Sequence, residues 1–542
     1  MKPTRSVLAL SIAALFLGVG APLPAAAHDE GGTPARLGKV HFLVSCNAAA
    51  QKEFDVAMAY YHSFAWEYYK APLERALQAD PSCGMVHWLR SLAVLDNPFT
   101  WPVGLSPKVL AEGQASLESA RTTGLRTARE RDYVEALAVF YKDHDKLAHR
   151  TRVKALEDAM AQVASRYPDD KEAAILYALI LSVNFDPGDR TYSNQLKAAR
   201  ILEPIFVTQP EHPGVAHYLI HTYDYPPIAP HGLDAAKRYS KIAPDATHAL
   251  HMPSHIFTRV GAWRESVESN RESARVDADR TFNSAHAYDY VVYAYLQLGQ
   301  DRAAQQVIAH AQAVPKKVDH FGAAYAYAAM PARYAVERGD WKTAANLPLD
   351  PPGDAYPWKK YPQSEAMNAF GRGIGAAMSR DPVAAQVEVK RLQALRDAAA
   401  ALKINYWVEQ IDIQAEVVRG LATSAEGKHV EGIEILTKAA AREDATEKHA
   451  VTPGLLLPAR EVLAYAILDL GKPADALREF EAVLAKEPNR YRAFAGAAQA
   501  AGKAGDAKKA AYYSARVVEL TASADTARPE IAPAKRVLGM SN

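Results

Sequence analysis

A glycine returns on a fixed beat through this chain, followed five positions later by a small residue. Gly471 precedes Ala476, and 34 residues on Gly505 precedes Ala510. The same spacing joins Gly299 to Ala304 and Gly339 to Ala344, with weaker copies at Gly261/Ser266 and Gly427/Gly432. Between the beats lie Ala-rich amphipathic stretches with few alternating β-branched runs, so the elements are helices. The glycine lets the chain turn, and the small residue lets two helices approach closely. Proline closes second helices, as at Pro81, Pro210 and Pro488. A helical hairpin of this length cannot bury its apolar face alone, so neighbours must stack into a solenoid with a concave inner surface. The expected fold is all-α, an α-solenoid of stacked hairpins.

The 34-residue period with this punctuation fits the tetratricopeptide repeat. Several segments also resemble a large group of exported bacterial tetratricopeptide-repeat proteins. The resemblance is carried by Tyr61-His62-Ser63-Phe64, Asp80-Pro81-Ser82-Cys83, 212–221 (HPGVAHYLIH), 248–257 (HALHMPSHIF), Glu447-Lys448-His449 and Glu487-Pro488-Asn489-Arg490. It covers most of the chain beyond the leader. It implies the fold and export, and no chemistry.

Residues 1–27 read as a secretory signal: Lys2 and Arg5, an apolar run from Val7 to Val19, and Ala25-Ala26-Ala27 before His28. A periplasmic or secreted location follows. There Cys46 and Cys83 can be oxidised, and a disulfide between them is expected. The leader's run is short for a bilayer, and no later segment reaches about 18 apolar residues, so no transmembrane segment is expected. Residues 28–347 should form an N-terminal solenoid with a His-rich segment at 212–289, and 363–521 a C-terminal set of repeats. Five prolines within 348–362 mark a linker or crossover between them. Residues 444–458 are irregular, and 522–542 read as a flexible tail.

Composition removes several function classes. Lys+Arg is 63 against Asp+Glu 62, which lacks the basic face that nucleic-acid binding needs. Two cysteines exclude a disulfide-dense scaffold, a four-thiolate Fe–S cluster and a Cys-rich zinc ribbon.

The histidines carry the strongest chemical signal. Of 18, seven fall within 212–255: His212, His217, His221, His231, His248, His251 and His255. His217/His221 and His251/His255 are both i, i+4 pairs, each on one helix face. The pairs are 34 apart, so they occupy equivalent positions on neighbouring first helices. One repeat beyond His255 lies Asp289, and His286 falls one residue from the equivalent of His251. Packed helices lie about 8–10 Å apart, so imidazoles from both could meet at one ion, or at two bridged by Asp289. His217, His221, His251 and His255 are the expected ligands, with His248, His286 and Asp289 as additions. Zinc and copper are the cofactors expected of such a set. Asp224, three residues after His221, is placed to orient a ring. Pro253 should kink a first helix, or else open a helix that starts late. The bland account is that these rings hydrogen-bond across a polar core.

Other features are weak. His28, Asp143-His144-Asp145 and Gly371-Arg372-Gly373-Ile374-Gly375 read as a chain end, a solvated turn and a helix. His449, in the irregular 444–458 segment, could reach the groove, but a surface position is the expectation. The abundant tyrosines, Tyr288, Tyr290 and Tyr293 among them, read mostly as core. There is no His-Glu-x-x-His, no nucleophile elbow and no P-loop. Three functions remain: a scaffold that binds a protein or peptide on its concave face and holds a metal, a metal-dependent hydrolase with Asp224 or Asp289 as base, and a metal-free adaptor.

Overall fold

The computed structural model describes residues 35–101, 105–349 and 356–541. The signal expected at 1–27 lies outside them, as do 350–355 inside the Pro-rich stretch. Among the described residues every regular element is helical. Arg36–Asn542 is one compact unit of stacked helical hairpins. Pro213–Tyr223 pairs with Leu233–Ile242, Phe282–Gln297 with Asp301–Ala313, and Tyr491–Lys503 with Ala507–Leu520.

The glycine beat has a direct cause. Gly261, Gly299, Gly339, Gly427, Gly471 and Gly505 all hold φ between 66° and 87°, where a side chain is strained. Their small partners Ser266, Ala304, Ala344, Ala476 and Ala510 are buried where two helices meet. At Gly432 a Cβ would stand 2.0 Å from Ser424 Oγ. Helix starts are capped by side chains: Asn47 accepts from Ala50 N–H, and Thr127 with Glu130 forms a capping box. Cys46 and Cys83, at the starts of Ala48–His62 and Gly84–Ala93, are joined as a disulfide, with Cα atoms 5.3 Å apart.

Two boundary expectations need correction. The helices on either side of the Pro-rich stretch belong to one body, not two. Phe321–Glu337 and Pro362–Met378, on either side of it, stack directly on each other, and Leu347 and Trp358 are buried at its ends. The segment from 522 is not a loose tail. Asp525 accepts from the N–H groups of Arg302 and Ala303, each at 3.0 Å. Arg528 is buried against Asp301, and Ile531–Val537 is a helix. A buried Arg–Asp pair docks this segment onto the turn at Gly299, which its Pro content alone did not reveal.

The array also folds back on itself. The irregular segment 445–458 crosses to the middle repeats, where Tyr290 OH donates to Thr452 C=O and Arg333 to Leu455 C=O. Arg490 reaches Tyr293 OH at 3.2 Å. The inner faces of Phe282–Gln297 and Phe321–Glu337 are therefore covered by the chain's own residues. No helix among the described residues is long and apolar enough to cross a membrane.

Candidate metal centre

Three consecutive first helices build the site. Pro213–Tyr223 carries His217 and His221. The next is broken at Met252 into Thr247–His251 and Pro253–Arg259, and carries His248, His251 and His255. Phe282–Gln297 carries His286. Pro253 opens the second piece, so the first helix is interrupted at the ligands and resumes with proline at its first position.

The six rings gather as two sets of three, not around one point. His217, His221 and His248 form one set; His251, His255 and His286 form the other. In each, one ring nitrogen per histidine lies within 4.8 Å of the others. The sets adjoin: His221 and His255 ring centres are 6.0 Å apart, and His248 and His251 6.2 Å.

Hydrogen bonds on the far sides of the rings fix which nitrogens are bare. His251 Nδ1 donates to Asn270 Oδ1 at 2.6 Å, because Asn270's own N–H is spent on Ser266 C=O. His255 Nδ1 donates to Asp224 at 2.9 Å. The Nε2 atoms of both rings are then acceptors, yet they face each other at 3.0 Å. Two lone pairs at that distance repel unless a cation or a shared proton stands between them. At His217 one side of the contact is fixed in the same way, and His248 Nε2–H can donate to it. His217 Nδ1 donates to His62 C=O at 2.7 Å, leaving a bare Nε2 that faces His248 Nε2 at 3.1 Å. His221 Nε2 and His286 Nδ1 are buried and make no hydrogen bond, an expense of about 1–3 kcal/mol each.

Protonation is opposed throughout. Burial, reinforced by neighbouring imidazoles, holds His217, His221, His248 and His286 well below the usual histidine range. Burial and His255 push His251 down to about 3, against its bond to Asn270. His255 is also lowered by burial, despite Asp224. Neutral imidazole is the form that can ligate a metal, and the second bonds from His62, Asn270 and Asp224 aim three of the six rings.

An aromatic wall closes the first set. Phe99 stacks on His221 with ring centres 3.9 Å apart, and Phe64 lies 4.4 Å from His217 and 5.4 Å from His248. Phe64 holds φ at 50°, a strained backbone for a bulky residue, of the kind that clusters at working sites.

The carboxylates stand elsewhere than expected. Asp289 is fully buried and paired with Arg333 at 3.2 Å, so it neither ligates nor bridges. Burial nonetheless raises its carboxyl above the usual range, against that arginine. Asp224 does orient a ring, that of His255. It also takes Arg259 Nε at 2.8 Å and the buried Lys448 Nζ at 3.4 Å. Burial works against its ionisation, but Lys448, Arg259 and His255 hold it well below the carboxylate range. Neither aspartate is free to serve as a base.

Some residues of the site were not singled out from sequence. His62, Glu172 and His212 form a third buried group, with Glu172 accepting from His62 Nε2 at 3.0 Å and His212 Nε2 at 2.8 Å. His62 Nδ1 accepts from Tyr218 OH, and His212 Nδ1 caps its helix by accepting from Val215 N–H. Every nitrogen is satisfied, so this group needs no ion; it anchors the carbonyl that aims His217. Gly214 permits the approach, since a Cβ there would meet His62 Nδ1 at 2.5 Å. The contacts of His62 span more than 100 residues, and no local spacing announces them. His231 is exposed, and His449 packs against Tyr406 and Trp407 away from the sets.

No family model matches the sequence, and no curated protein does. Solved structures are similar, among them the following two. One is described as Naa15/Naa10 bound to HypK-THB, at 11% identity and TM-score 0.25, covering 88% of this chain and 71% of that one. The other is yeast Tom70, at 12% identity and TM-score 0.30, covering 90% of this chain and 89% of that one.

Proposed function

We propose that the protein is an exported helical-repeat scaffold that holds a transition metal, zinc or copper, among histidines of adjacent repeats. The carrying observation is the His251/His255 contact. Both Nδ1 atoms are spent as donors, so two acceptor nitrogens face each other at 3.0 Å, a contact that a cation or a shared proton between them relieves. A shared proton is the competitor, and burial together with the nearby Arg259 and Lys448 charges works against it. The hydrolase reading lacks support, because Asp224 and Asp289 are both committed to cations. Many hairpins contribute their own buried interfaces, so the ion serves function more than folding.

Elemental analysis of the purified protein tests this. Stoichiometric metal is expected in the wild type. It should be absent from a His221→Ala/His255→Ala variant that still unfolds cooperatively. Wild-type protein that stays metal-free after exposure to both zinc and copper would refute the reading.

A further inference from the structure

The two sets of imidazoles, not one merged site, define what the scaffold can hold. Each set draws on two first helices, and its rings are pinned from behind. His62 C=O holds His217 toward His248, while Asn270 and Asp224 hold His251 and His255 toward each other. One ion at about 2.0–2.1 Å from its nitrogens cannot satisfy both convergence points without releasing those bonds. The two orphaned atoms, His221 Nε2 and His286 Nδ1, fall one to each set.

Charge then selects the ion. Both sets are made of histidine alone, so the ligands bring no negative charge. Asp224 is the carboxylate beside them, and it already faces two cations, Arg259 and Lys448. A pair of divalent ions would add four charges to a buried region whose ligands bring no negative charge. The cost of desolvating an ion grows with the square of its charge, so a monovalent ion pays about a quarter of it. Three neutral imidazoles behind an aromatic wall suit a d10 monovalent ion that accepts three ligands and no water. A divalent ion there would need a water or an anion to complete its shell.

We infer that the cluster binds two cuprous ions, one on His217, His221 and His248 and one on His251, His255 and His286. This rests on the metal-binding reading above and adds number, oxidation state and ligand sets to it.

The test is anaerobic titration of the metal-free full chain with cuprous ion against bicinchoninate, with zinc in parallel. About two cuprous ions per chain should be held, and zinc should bind at least about tenfold more weakly, a difference of about 1.4 kcal/mol. His248→Gln and His286→Gln alter half-buried rings at the rim, one per set, and each should retain one ion. Absorption spectroscopy at the copper edge should show nitrogen ligands only, about three per copper, and gives the answer even if a variant folds poorly. A single cuprous equivalent in the wild type, zinc bound as tightly as copper, or loss of both ions in either variant would overturn the inference. Binding of one zinc ion would do so while leaving the metal-binding reading intact. No metal of either kind would remove both.

Discussion

Lowering the pH from 7 to 5 should strip stability from the metal-free protein, and mainly from repeats 213–298. His217, His221, His248, His251 and His286 all have folded-state pKa values depressed by burial, His251 to about 3. Below pH 6.5 the unfolded chain takes up protons at these rings and the folded chain does not. The unfolded state therefore binds more protons, and stability falls as pH falls through that window. At pH 5 a ring that stays neutral in the fold, as His251 does, costs about 2 kcal/mol, because that pH is about 1.5 units below the unfolded value. The other four rings act in the same direction. Glu443 works the other way. Burial raises its folded-state pKa to about 8, so it recovers about 2–3 kcal/mol over the same interval. Urea unfolding at the two pH values, with limited proteolysis to place the opening, measures the balance. The midpoint should drop sharply at pH 5, with first cuts in 213–298, and copper should restore it. Equal midpoints at pH 7 and 5 without metal would refute the reasoning, because the rings would then not be held neutral by the fold.

Glu443→Gln mimics the protonated acid, so it should stabilise the protein above pH 7 by a few kcal/mol and remove the offset below it, making the loss from pH 7 to 5 steeper than in wild type; thermal melts across that range check the sign. Removing the Cys46–Cys83 bond, which spans 37 residues, should cost about 4 kcal/mol on the chain-entropy model, read as a lower urea midpoint for the Cys→Ala pair and for reduced wild type alike. Asp289→Ala leaves Arg333 buried without its anion and should cost about 3–5 kcal/mol with metal content unchanged; loss of metal in a folded variant would put Asp289 back among the ligands.

The hairpins were legible because their requirements are local. A turn that needs positive φ takes glycine, and a close crossing takes a small residue five positions later, so Gly299/Ala304 and Gly471/Ala476 could be read directly. The histidine register was legible in part. The 34-residue offset correctly marks equivalent positions on neighbouring first helices, but contacts between those helices run at an offset of 31. His217 meets His248, Asp224 meets His255, and His255 lies beside His286. Each residue faces its neighbour one helical turn before the equivalent position. That is why Asp289, a full repeat beyond His255, turns to Arg333, while His286 joins the set. The fold-back of 445–458 and the docking of Arg528 on Asp301 were not legible, because they join residues more than 100 positions apart through single buried polar contacts with no periodic signature.

The central claim is that these histidines converge on metal. Anomalous scattering at the copper edge from crystals of copper-loaded protein tests it most directly. The account predicts density about 2.0–2.1 Å from Nε2 of both His251 and His255, in the gap between them, and a second peak among His217, His221 and His248. Crystals that take up copper elsewhere, with the His251–His255 gap still empty at 3.0 Å, would contradict it.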